Sequence, residues 1–305
     1  MLKDTIHCDL CENQEHLSSF KEHRLKSESE NLGRFFAEAG DEKKAQRVRE
    51  CGTYLAFELY KHRLTAEQKR KLNGANFCEV RWCPMCAWRK SRKYGGEMRS
   101  ILTQLEALRP VKYVFLTLTI ENPRLTELKD ALKTMNRAFK RLTESLEFKG
   151  VVLGYIRALE ALGGNTPTGE AHPHYHCLLV VKPSYFSRGY IAQERWAELW
   201  QRCLRVDYVP VVDVRKIKPK SAEWTARDSA IIETVKYIAK PQSVGSLCQS
   251  DFDELDRQMK GVKQYTHGGV LKDFKPEEAG NFSREEWKLI AKEFYQWAGK
   301  DYKPV

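Results

Sequence analysis

Ala171-His-Pro-His-Tyr-His-Cys-Leu-Leu-Val-Val181 sets histidines at three alternate positions and then continues as an unbroken apolar run. Residues two apart in an extended chain project to the same face. His174 and His176 therefore present both imidazoles on one side, while Tyr175 and Cys177 face the other. The stretch reads as a buried β-strand carrying a metal site. His172 is a third candidate ligand, but Pro173 fits poorly in a central ladder and the apolar strand continues from His176, so His174 and His176 are preferred. Two imidazoles do not fill a coordination sphere, and divalent ions that activate phosphates also want oxygen donors.

Working outward, Tyr113–Ile120 is a strong β run with Thr117 and Thr119 on one face. Leu125, Leu128, Leu132, Met135, Phe139 and Leu142 recur at helical spacing, which predicts a helix from Leu125 to about Leu146 crossing over the sheet. A strand over Val151–Leu162 and the turn-forming Gly163–Gly169 precede the histidine strand, so the two strands read as a hairpin. Gln193–Arg205 is a tryptophan-containing helix and Val209–Ile217 a strand. Thr225–Lys240 is a helix with Thr225 and Asp228 as its capping box and Pro241 as its stop. The order is βαββαβα, an α+β fold with an antiparallel catalytic sheet flanked by helices.

Outside this core, helical periodicity is read over Arg34–Leu59 and Leu64–Leu72, before a cysteine-rich segment Phe77–Arg92. A last helix is expected over Ser283–Ala298, capped by Ser283 and Glu286. Trp287, Ile290, Ala291, Phe294 and Trp297 would form its stripe and Gly299 its end. The division expected is a basic, helical, cysteine-rich region over 1–100, a catalytic domain over 101–245 and a helical C-terminal region over 246–305.

The chain has 305 residues and a formal charge of +11, and residues 41–93 hold 14 basic against 6 acidic side chains, a balance suited to polyanions. No apolar run reaches membrane-span length and Met1–Cys8 lacks the apolar core of a signal peptide, so a cytoplasmic protein is expected. Nine cysteines, an odd number, several at CxxC spacing, point in a reducing compartment to metal ligation or buried thiols.

Candidate chemistry gathers at three places. The hairpin would bring Glu160 beside the two imidazoles as an oxygen ligand. On the Thr225–Lys240 helix, Glu233 and Tyr237 fall about 40° apart on one face, offering a carboxylate and a phenol to a cleft together with Lys236 and Lys240. A tyrosine with a pKa near ~10 needs positive charge nearby to act as a nucleophile. Cys78, Cys83 and Cys86 are three thiolates of a zinc site whose fourth ligand is Cys51, or one of Cys8 and Cys11. Cys177, Cys203 and Cys248 read as plain thiols, and Trp82 and Trp88 as small-domain core, preferred over stacking groups.

Phe115-Leu-Thr-Leu-Thr119, His172-Pro-His-Tyr-His-Cys-Leu-Leu179, Glu233-Thr-Val-Lys-Tyr237, Arg81–Arg89 and Tyr265–Lys272 together resemble the rolling-circle replication initiators of small Gram-positive plasmids, within the HUH endonuclease superfamily. The resemblance runs from about residue 45 almost to the C-terminus. It implies that His174, His176 and Glu160 bind Mg²⁺ or Mn²⁺, and that Tyr237 attacks a phosphodiester in single-stranded or hairpin origin DNA. A 5′-phosphotyrosine link and a free 3′-OH would result. Glu233 is implied to activate water at termination. Cys8 and Cys11 lie outside the family pattern, which favours Cys51 as the fourth Zn²⁺ ligand. Host helicase, DNA polymerase and single-strand binding protein are the implied partners, no membrane is involved, and a homodimer is left open. Two rival readings are a zinc-dependent DNA-binding regulator without chemistry and a metal nuclease that uses water directly.

Overall fold

The computed structural model describes residues 23–164, 166–219, 224–239, 244–276 and 283–305. The described parts of Met1–Arg89 and Glu278–Val305 form one compact unit, and those of Lys90–Glu277 form the other. The expected boundary near residue 100 falls at Arg89, and 246–305 is shared between the two units.

The first unit opens with helices α1 (His23–Glu38) and α2 (Glu42–Arg49). Gly40, at φ +79°, supplies the left-handed turn between them, and the Asp41 side chain accepts the Lys44 N–H at 3.0 Å to cap α2. Strands β1 (Tyr54–His62) and β2 (Gln68–Ala75) follow. They join β8 (Trp287–Trp297) and β9 (Tyr302–Pro304) in an antiparallel sheet of order β2-β1-β8-β9.

Three of the expected helices are corrected by this unit. The helix expected over Arg34–Leu59 stops at Arg49, where Cys51 is buried and Gly52 takes φ +71°, and Tyr54–Leu59 is strand. Leu64–Leu72 is a turn leading into β2. Ser283–Ala298 is mostly β8. Its Ser283 signal is realised locally, since the hydroxyl accepts the Glu286 N–H at 3.2 Å, but the turn opens into a strand. On β8 the half-buried residues from Ala291 onward alternate: Ala291, Glu293, Tyr295 and Trp297. A bulge at Ile290, opposite Leu59/Tyr60, breaks that alternation, and Glu293 holds a charge on the inner face through Arg70 at 2.7 Å. Both features mask a period of two.

The second unit follows the expected order closely. It contains α3 from Lys90 onward (the helix spans Pro84–Leu108), β3 (Lys112–Thr119), α4 (Leu128–Glu144), α5 (Leu146–Val151), β4 (Val152–Glu160) and β5 (His174–Val181). Then come α6 (Gln193–Leu204), β6 (Val212–Lys216), α7 (Ala226–Ala239), α8 (Gln249–Gln258) and β7 (Tyr265–Gly269). The five strands form one antiparallel sheet of order β6-β3-β5-β4-β7. β5 is central and buried along its whole length, which is why its sequence is a continuous apolar run after the histidines.

Each face of this sheet is covered. On one side Phe139 of α4 packs against Tyr155 and Tyr175, and Phe148 of α5 against Trp196 of α6. On the other, Met98, Ile101, Leu102 and Leu105 of α3 and Ala230 and Ile231 of α7 pack on Tyr113, Ile156, Leu178 and Val180. The capping box of α7 is formed: the Asp228 carboxylate accepts the Thr225 N–H at 3.0 Å, and the Thr225 hydroxyl accepts the Asp228 N–H at 3.1 Å.

Candidate active site

The hairpin register places Glu160 of β4 directly opposite His174 of β5, with Ala158 opposite His176. The three side chains converge: His174 Nε2 and His176 Nε2 each lie 3.1 Å from the same Glu160 oxygen, and Glu160 is 2 % exposed. His174 Nδ1 donates to the His172 carbonyl at 2.7 Å, which orients the ring so that Nε2 faces Glu160. His176 Nδ1 lies 3.4 Å from the Thr117 hydroxyl of β3.

The three buried side chains form a group that could hold a metal ion. The two imidazole rings stand 4.5 Å apart between centroids, so that one divalent ion could take a donor from each ring and one from Glu160. The spacing fits, since neighbouring donors held ~2.1 Å from an octahedral ion lie about 3 Å apart.

Tyr237 reaches this group from α7. Its ring stacks on His176 at a centroid distance of 3.4 Å and an interplanar angle of 18°, with Phe115 of β3 stacked against both rings. Burial, with the Glu233 and Glu160 carboxylates adding to it, pushes the phenol up to about 12, and Arg215 pulls the other way. The Tyr237 hydroxyl lies 3.4 Å from Glu233 Oε1, and Lys236 Nζ donates to Glu233 Oε2 at 3.0 Å. Glu160, His174, His176, Tyr237, Glu233 and Lys236 therefore occupy one site. Lys240 lies outside the described residues.

The first unit holds a second cluster. Cys51, Cys78, Cys83 and Cys86 are all buried, with sulfur atoms within 4.8 Å of one another. Cys86 Sγ is 3.6 Å from both Cys51 Sγ and Cys78 Sγ, close to the ~3.8 Å separating thiolates held tetrahedrally at ~2.3 Å from zinc. The Cys78 N–H points at Cys51 Sγ at 3.4 Å, and Ser29 Oγ lies 3.3 Å from Cys83 Sγ. Hydrogen bonds from Cys51, Cys78 and Cys86, with Ser29 adding to them, hold the Cys83 thiol far below its ordinary range despite burial. Cys8 and Cys11 lie outside the described residues. Trp82 is buried, as expected of core, and Trp88 is half-buried. Cys177 and Cys203 are buried free thiols and Cys248 an exposed one.

The family described as Replication protein matches residues 69–302 of this chain. The chain belongs to the Rep replication-protein family. It is similar to a "Protein rep" of Bacillus amyloliquefaciens, 35 % identical over 252 residues covering 77 % of this chain and 73 % of that one. A "Protein rep" of Lactiplantibacillus plantarum is 36 % identical over 244 residues, 76 % of this chain and 74 % of the relative. One of Streptococcus pneumoniae is 32 % identical over 234 residues, 75 % and 70 % respectively. No solved structure matches. The resemblance to rolling-circle initiators of plasmid replication is thereby borne out.

In this Rep family member the third histidine is placed differently from the other two. His172 Nδ1 lies 2.6 Å from Asn122 Oδ1, and the His172 backbone carbonyl orients His174. Asp213 and Arg215, not singled out in the sequence, lie on the site face, since they pair with Thr117 and Phe115 across β3 and β6. Their alternate spacing on a strand was a signal for that placement. No helix among the described residues is long and apolar enough to cross a membrane.

Proposed function

We propose that this plasmid replication protein initiates rolling-circle replication by nicking and rejoining origin DNA. The observation that carries the reading is the stacking of the Tyr237 ring at 3.4 Å on His176, one of the three convergent donors Glu160, His174 and His176. Those donors would hold Mg²⁺ or Mn²⁺, which when bound supplies positive charge that polarises the scissile phosphate. The Tyr237 oxygen attacks phosphorus, a bond to the tyrosine forms and the bond to the 3′ oxygen breaks. The products are a 5′-phosphotyrosine and a free 3′-OH that a host polymerase extends, with host helicase and single-strand binding protein opening the template.

Glu233 lies one turn before Tyr237, 3.4 Å from its hydroxyl, and so addresses the same phosphate position. At termination it takes a proton from water, the hydroxide so formed attacks the phosphorus of the regenerated origin phosphodiester, and the bond to the 3′ oxygen breaks to leave a 5′-phosphate and a 3′-OH. Lys236 and Lys240 contribute charge toward the DNA. Cys51, Cys78, Cys83 and Cys86 hold a structural Zn²⁺, and the basic N-terminal region binds duplex origin DNA through phosphate contacts.

The test is incubation with Mn²⁺ and an end-labelled origin oligonucleotide. A covalent protein–DNA adduct is expected, absent in Tyr237→Phe. Cleavage without an adduct would instead support a nuclease using water, and binding without cleavage a regulator. Glu233→Ala should still form the adduct but lose termination.

A further inference from the structure

The sheet of the first unit has two unlike faces. Leu55 and Phe57 of β1 point into that unit's core and are buried. The opposite face carries large side chains in the open: Tyr54 is 42 % exposed and Phe294 40 %, and their rings stack on each other at 6.2 Å. At the other end of β8, Trp287 packs edge-on to His62 at 4.9 Å and carries the Lys69 ammonium 4.9 Å above its ring.

The register fixes the residues that lie between. Ala56 pairs with Phe294, Glu58 with Lys292 and Lys71, and Tyr60 with Leu289 and Lys69, all on this face. Lys303 joins it through its pairing with Gln296. Four lysines thus stand among these rings beside Glu58, which Tyr60 and Asn73 hold by hydrogen bonds of 2.8 and 3.1 Å. Lys69 also meets Glu67 at 3.1 Å. Exposed Tyr54 and Phe294 at one end of β8 and half-buried Trp287 at the other, with cations between them, are more than a purely structural surface needs. They match the needs of a single nucleic-acid strand, whose bases stack on rings while its phosphates track the positive charge.

We propose that this face binds single-stranded DNA by base stacking, separately from the Tyr237 site. Phe294 and Trp287 are seven residues apart, about 20 Å along the strand, a span for a few nucleotides. The inference rests on DNA being the substrate but not on the nicking chemistry. Its role would be to hold the displaced or extruded strand near the origin.

The experiment measures fluorescence anisotropy of the full-length protein with labelled oligo(dT) of about 16 nucleotides and with a random duplex of equal length. Tyr54→Ala/Phe294→Ala should weaken oligo(dT) binding about tenfold or more while leaving duplex binding unchanged. Tyr54→Trp/Phe294→Tyr should keep wild-type affinity. Lys71→Gln/Lys292→Gln should lower the slope of log affinity against log salt by about 1.4. The proposal is overturned by unchanged oligo(dT) affinity in the alanine pair, by equal losses on single strand and duplex, or by loss of affinity in the aromatic replacements. It is also overturned if the alanine pair converts a dimer to a monomer by light scattering, which would make this face a contact between two copies. All these variants should still form the covalent adduct at saturating origin oligonucleotide. Absence of adduct in wild type would count against the nicking reading alone.

Discussion

Glu160 offers one carboxylate oxygen to two imidazole nitrogens, each 3.1 Å away. Glu160→Gln removes the anionic donor while keeping its shape. It should weaken Mn²⁺ binding by at least the ~10–100-fold that loss of an outer partner costs, read by titration calorimetry. The histidine pair and Glu160 were legible because strand alternation and a hairpin are local rules, and so was Tyr237, because helix spacing is local too. The stacking of Tyr237 on His176 was not, since it depends on how α7 docks on a sheet built from other segments. Asn122 escaped for the same reason: it meets His172 across 50 residues of chain. A second residue-scale expectation concerns Gly268, where an added Cβ would run into the Tyr155 ring. Gly268→Ala should cost about 1–3 kcal/mol in urea denaturation, as overpacking does.

Helix α7 carries Tyr237 and starts at a cap that responds to acid. Burial raises the Asp228 pKa, but hydrogen bonds from Thr225 and the Arg99 guanidinium at 2.5 Å outweigh it, so the folded value lies below the ordinary one. A carboxylate depressed on folding adds stability that is fully present above its unfolded pKa of about 3.9 and is lost as pH falls through the folded value. Urea midpoints between pH 5 and pH 3 should therefore fall more steeply in wild type than in Asp228→Asn. This cap was readable as Thr225 and Asp228 three residues apart. The similar signal at Ser283 and Glu286 misled, because a local turn does not dictate the conformation of the residues after it. β8 is specified by pairing with β1, more than 200 residues earlier, and its Glu293 becomes compatible with an inner face only when Arg70 arrives from β2. Helical spacing of Trp287, Ile290, Phe294 and Trp297 was real in the sequence and irrelevant to the partner that decides the structure.

At the scale of the molecule, the two candidate metal groups belong to different units, the cysteines in the first and Glu160, His174 and His176 in the second. Chelation should therefore have separable effects. Removing about one equivalent of zinc should raise amide exchange throughout β1 and around Cys51–Cys86, while the strands of the second unit stay protected, as hydrogen-exchange mass spectrometry would show. Equal loss of protection in both units would contradict an independent structural role for the cysteines.

The first unit is discontinuous: β1 lies between β2 and β8, and β8 is drawn from the far end of the chain. During synthesis the histidine sheet has all its strands once residue 269 has left the ribosome, whereas β1 waits for residues 287–297 to gain its second neighbour. Translation thus completes the second unit's sheet before the first unit's, although the first unit begins earlier in the chain. A ribosome stalled shortly after that sheet is complete would display a folded second unit and a first unit still lacking half its sheet, a state open to the proteases and chaperones that survey nascent chains.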